Sequence, residues 1–93
     1  MLILTDPAVE AIRLLTTKPG LPATSGLRIV HGDTAGGLEL FITPAPEGSD
    51  HVIETGGVRV FVQAEAVELL GGKALNAEIA NADDIVFLVD EPA

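Results

Sequence analysis

Ninety-three residues with fourteen carboxylates against five basic side chains carry a formal charge of −9, which repels the phosphates that DNA or RNA binding must neutralise and argues against a nucleic-acid partner. The same field disfavours an anionic membrane surface, and no run approaches the ~18 apolar residues of a membrane span. Cysteine is absent, which removes disulfides, thiol nucleophiles and soft thiolate metal sites together.

A chain of this length fits one domain, 1–93, and buries only ~60–65% of the surface its unfolded form exposes. Hydrophobic residues make up 47%, but the aromatics are only Phe41, Phe61 and Phe87. The core is therefore expected to consist of Val, Ile, Leu and Ala, a composition that favours strands. The opening residues Met1 to Pro7 lack the basic and long apolar regions of a secretory leader. The expectation is a soluble, cytoplasmic protein whose acidity suits a basic protein partner.

In chain order, Leu2-Ile3-Leu4 is a short apolar run closed by Thr5-Asp6-Pro7, where a side-chain oxygen caps a helix and proline occupies one of its first positions. Ala8, Ile12 and Leu15 form the apolar stripe of that helix, widened by Val9 and Leu14, with Glu10 and Arg13 on the wet side. Lys18-Pro19-Gly20 ends it. Leu21 to Ser25 reads as a surface loop.

Gly26 to His31 alternates as a strand with Leu27 and Ile29 on one face, and Gly32 to Gly37 breaks it. Leu38 to Thr43 is the expected antiparallel partner, with Leu38, Leu40 and Ile42 sharing a face. His51 to Glu54 and Val58 to Val62 flank Thr55-Gly56-Gly57, the spacing of a tight hairpin with glycines at positive φ.

Gln63 to Leu70 predicts a short helix with Ala66, Leu69 and Leu70 inward and Glu65 and Glu68 outward, stopped by Gly71-Gly72. Ala74 to Ala80 is a further strand, Asn81 to Asp84 a turn, and Ile85 to Val89 a continuously apolar strand expected at the centre of a sheet. The order β-α-β-β-β-β-α-β-β lacks βαβ alternation and predicts an α+β fold, a small and mainly antiparallel β-sandwich with two helices.

The turn Gly32-Asp33-Thr34-Ala35-Gly36-Gly37 is the most unusual local stretch, because three glycines let the backbone approach a ligand closely. It lacks the Lys-Ser/Thr pair of a phosphate loop. His31, Asp33, Thr34, Gly36 and Gly37 are the ligand-loop candidates. His31 and Asp33, joined by His51 if its strand lies alongside, have the chemistry of a hard or borderline metal site, but three ligands are a minimum. Neither Ser25 nor Ser49 has a histidine and an acid at a spacing that implies a triad. Asp83 and Asp84 read as turn chemistry rather than an acid/base pair.

The order of segments carries a resemblance. Leu2, Thr5, Asp6 and Ala8 opening a helix, Gly26-Leu27-Arg28, a glycine-rich turn, an aliphatic-aromatic strand, Gly57-Val58-Arg59-Val60 and Leu69-Leu70-Gly71-Gly72 resemble the HesB-like, A-type iron–sulfur cluster assembly carrier family. The resemblance extends through Val89 and implies two twisted, mainly antiparallel sheets with two helices packed against them. Where the family has its first cysteine this sequence has Asp33 or Thr34, and where a Cys-x-Cys pair would fall it has Asp90-Glu91-Pro92-Ala93. Thiolates hold iron–sulfur clusters, so the resemblance implies the fold and not the cluster.

No catalytic, cofactor or metal residue is assigned, and no cofactor is expected. The expected function is that of a non-catalytic, cysteine-less HesB-like domain protein working by protein–protein contacts or through an unknown ligand at the 32–37 loop, with a homo-oligomer left open. The alternative is a metal-binding protein that uses His31 and carboxylates without an iron–sulfur cluster. An enzyme would need His31 or His51 gathered with Asp33 or Ser49 in one pocket.

Overall fold

The structure is a computed structural model that describes residues 2–32, 37–81 and 83–90. Two sheets and two helices close around one core. The elements run β1 (Ile3–Leu4), α1 (Asp6–Thr16), β2 (Gly26–His31), β3 (Leu38–Thr43), β4 (His51–Thr55), β5 (Val58–Val62), α2 (Ala64–Leu70), β6 (Ala74–Asn81) and β7 (Asp84–Asp90). The three-stranded sheet has the order β1-β6-β7 and the four-stranded sheet the order β3-β2-β5-β4. Three pairings are antiparallel, β2 with β3, β4 with β5 and β6 with β7. The α+β, mainly antiparallel architecture expected from the element order is the one observed.

Two pairings, β1 with β6 and β2 with β5, are parallel. They join segments far apart in sequence, a property that local periodicity does not encode. The first of them also corrects an expectation: Ile85–Val89 lies at an edge, not at the centre of a sheet. The Ile3 amide donates to the Lys73 carbonyl at 2.9 Å and the Thr5 amide to that of Leu75 at 3.0 Å. β1 thereby takes the second edge of β6, and β6 becomes the central strand.

Helix α1 starts as its sequence dictates. Thr5 is the N-cap, its hydroxyl accepting from the Ala8 amide at 3.3 Å, and Pro7 sits in the first turn. The same hydroxyl donates to Asn76 Oδ1 at 2.8 Å, which ties the helix start to β6. Ala8, Ala11 and Ile12 are fully buried, with Val9 packed beside them. The alanines permit close approach of the helix to the sheets.

The core joins these residues to Leu27 and Ile29 of β2, Val58, Val60 and Val62 of β5, Ala66 and Leu70 of α2, and Leu75 and Ala77 of β6. Leu38, Leu40 and Ile42 pack against it from β3, on the one face expected of them. Leu69, expected inward, is exposed. Ala66 and Leu70, four residues apart, aim a helix of only seven residues at the core, and Leu69 lies about 100° round the axis from Leu70. Ser25, expected in a surface loop, is buried because it leads directly into β2.

The hairpin between β4 and β5 is a two-residue turn. Thr55 pairs with Val58, and Gly56 and Gly57 have φ of +58° and +82°. This is the glycine-dependent turn whose twist matches the strands it joins.

Candidate functional site

β2 alternates strictly: Leu27 and Ile29 face the core, so Arg28 and Val30 face the other side of the sheet. On that side Arg28 stands beside Phe41 of β3 and Phe61 of β5 in register. A guanidinium there needs a partner, and Asp50, at the entry to β4, supplies it. Arg28 Nε donates to Asp50 Oδ2 at 2.8 Å and Nη2 to Oδ1 at 3.0 Å, a two-pronged pair.

The Asp50 side chain is 1% exposed and that of Arg28 13%. Asp50 Oδ2 also accepts from the Glu47 amide at 2.9 Å, and Glu47 Oε2 lies 3.6 Å from Arg28 Nη2. The hydrogen bond from Arg28 holds the Asp50 carboxyl below the usual carboxylate range, against the opposing effect of burial. The hydrogen bond to Asp50 likewise raises the Arg28 guanidinium above its ordinary value. The Phe41 ring centroid lies 6.0 Å from the guanidinium carbon, at the outer limit of a cation–π contact.

Gly26, the first residue of β2, is required here. A Cβ at this position would lie 2.6 Å from the Arg59 carbonyl oxygen and 2.9 Å from two carbons of the Phe61 ring. Its absence allows β5 and the nearly fully buried Phe61 to close over the strand start. Sequence reasoning noted Gly26-Leu27-Arg28 only as a motif. Its association with Asp50 was missed, although an arginine at an alternating strand position between aliphatics signals a buried acidic partner.

Of the ligand-loop candidates, His31 and Gly37 are described, whereas Asp33, Thr34 and Gly36 lie outside the described residues. The loop closes on a hydrogen bond from the Gly32 amide to the Gly37 carbonyl at 3.0 Å. At its mouth the His31 amide donates to Gln63 Oε1 at 2.9 Å, and the Gln63 amide donates to the Ile29 carbonyl at 2.9 Å. Gln63 thus clasps the end of β2 while standing at the N-cap of α2, where its side chain makes no capping hydrogen bond.

The structure does not set the strands of the two histidines side by side. His51 belongs to β4, and β5 intervenes between β4 and β2, so the two strand axes lie about 10 Å apart. His51 instead lines an apolar cavity of about 90 Å³ with Leu2, Ile53, Val62, Val67, Leu70 and Gly71. Among the described residues no three His, Asp or Glu side chains gather as a metal site. Asp83 pairs weakly with Lys18 at 3.8 Å, both largely in solvent. No helix among the described residues is long and apolar enough to cross a membrane.

No protein-family model matches the chain, and no curated protein matches it either. Solved structures do. SufA of Escherichia coli, involved in the biosynthesis of iron–sulfur clusters, superposes with a TM-score of 0.75 at 27% identity over 98% of this chain and 85% of that one. IscA with its [2Fe-2S] cluster superposes with a TM-score of 0.70 at 24% identity over 99% of this chain and 86% of that one.

The donor set here does not suit such a cluster. The 93 residues offer only oxygen and two separately placed histidines, with no thiolate, and thiolates are what bind iron in these clusters. The chain therefore has the fold of the A-type iron–sulfur assembly carriers without the thiolate donors a cluster requires.

Proposed function

We propose that this chain is a single, non-catalytic HesB-like domain that works in the cytoplasm through protein contacts and carries no iron–sulfur cluster. One observation supports the reading above the others: structural likeness to SufA and IscA over nearly the whole of a sequence with no cysteine. The scaffold is kept while the cluster-binding chemistry is absent. What such a scaffold retains is its surface, and this surface is strongly acidic.

The site around β2 fits a structural role. The bidentate Arg28–Asp50 pair is shielded and internally satisfied, so it offers no free group for acid/base work. The loop after His31 is the remaining ligand candidate, and Gln63 holds its mouth in place.

Elemental analysis of purified protein after equilibration with ferrous iron and zinc tests this reading. The expected result is less than stoichiometric metal, unchanged in His31→Ala. One metal ion per chain that is lost in His31→Ala would overturn it in favour of a histidine–carboxylate metal protein.

A further inference from the structure

The run Ile85-Val86-Phe87-Leu88-Val89 and its position disagree. Five consecutive apolar residues are the pattern of a strand with neighbours on both edges and cover on both faces. β7 instead ends the order β1-β6-β7, and among the described residues no strand lies beyond it. Val86 is 51% exposed and Val89 is exposed, Leu88 is half-buried, and Ile85 and Phe87 pack against the core but stay only half-buried.

Edge strands are ordinarily protected by proline, lysine or a bulge. β7 contains no proline and no basic residue, and the irregular step in its pairing falls at its very start, opposite Ile79 and Asn81. The only charges on the strand are Asp84 and Asp90, one at each end and both exposed.

We propose that β7 is a docking edge for an extended segment of a basic protein partner, a segment with an apolar core of about five residues flanked by lysine or arginine. The added strand would pair with the free backbone groups of β7. Its alternate side chains would lie beside Ile85, Phe87 and Val89 on the face where Ile85 and Phe87 pack against the core, and beside Val86 and Leu88 on the other. Its basic flanks would meet Asp84 and Asp90. This rests on the reading of the chain as a protein that works by contacts, and it names the surface and the partner's chemistry.

Charge decides against a second copy as the occupant. Two β7 strands paired antiparallel over their full length would set Asp84 opposite Asp90 at both ends, and directly opposed like charges destabilise a sheet. They would also join two chains of −9 each.

The test uses the whole chain and a labelled peptide with a five-residue core of alternating valine and alanine and two lysines at each end. Fluorescence anisotropy should show saturable binding, with hydrogen-exchange protection gained across 84–90. Asp84→Lys/Asp90→Lys should weaken that peptide by about tenfold or more and favour its glutamate-flanked counterpart. Val86→Lys should weaken both, with circular dichroism confirming that the variants fold.

No binding at millimolar peptide, or protection elsewhere such as at β1 and β4, would overturn the proposal. So would a wild-type dimer in sedimentation that Val86→Lys dissociates. One metal ion per chain that is lost in His31→Ala would sink the proposed function while leaving the peptide result standing, and an inert peptide would sink the edge alone.

Discussion

Asp50 shows how a single side chain links pH to stability in this protein. Its carboxyl is held below the ordinary value by Arg28, so the folded state binds that proton less readily than the unfolded state does. Its contribution is complete above the ordinary aspartate value of ~3.9 and is lost as pH falls through the lowered folded value. Asp50→Ala should remove this acid sensitivity and lower Tm at neutral pH. Glu10→Ala, which breaks only the exposed Glu10–Arg13 pair, should lower it far less. Thermal melts of both variants and the wild type between pH 2 and pH 7 would measure the difference; equal losses would mean that the buried pair has no special weight.

Ser25 and Gly56 give two further residue-scale expectations. The Ser25 hydroxyl is buried without a hydrogen-bond partner among the described residues, a penalty of about 1–3 kcal/mol. Ser25→Ala should therefore raise the denaturation midpoint. Gly56 has φ +58°, and a Cβ there would lie 2.7 Å from Val9 Cγ1. Gly56→Ala combines that contact with the ~1–2 kcal/mol strain of a left-handed non-glycine residue and should destabilise by more than Gly57→Ala, whose added Cβ meets nothing within 4 Å. Urea titrations of the two variants give the order directly, and a larger loss in Gly57→Ala would contradict it.

At the scale of elements, much of the fold was legible because local chemistry and tertiary structure agree. Thr5 and Pro7 start α1, Gly56 and Gly57 turn the β4–β5 hairpin, and Leu38, Leu40 and Ile42 keep one face through β3. What escaped was non-local. The parallel pairing of Ile3–Leu4 with Ala74–Leu75 joins opposite ends of the chain, and it alone moves the central position from β7 to β6. Leu69 was misplaced because a seven-residue helix aims too narrow a stripe to seat three apolar residues.

The candidate site was less legible for the same reason. Arg28 was visible as a motif residue, but its partner lies 22 positions away beyond a whole strand. His31 and His51 were linked in the sequence reading only on the condition that their strands lie alongside, and strand order puts β5 between them. At the start of β2, Gly26→Ala would force a Cβ to within 2.6 Å of a backbone carbonyl. This contact cannot be relieved by a side-chain rotation, so the variant should fold poorly or not at all. Circular dichroism indistinguishable from wild type would show that β2 and β5 approach less closely than described.

For the whole molecule, the proposed function requires a carrier scaffold without the capacity to hold a cluster. The fold is that of SufA and IscA, and the proposed lack of a cluster rests on ligand chemistry, since oxygen donors and two separated histidines do not replace thiolates. Both halves meet in one measurement, the visible absorption spectrum of the purified chain after anaerobic incubation with iron and sulfide and removal of the excess. The expected product is a colourless protein with no visible bands. A stable brown protein with fixed iron and sulfide per chain would contradict it.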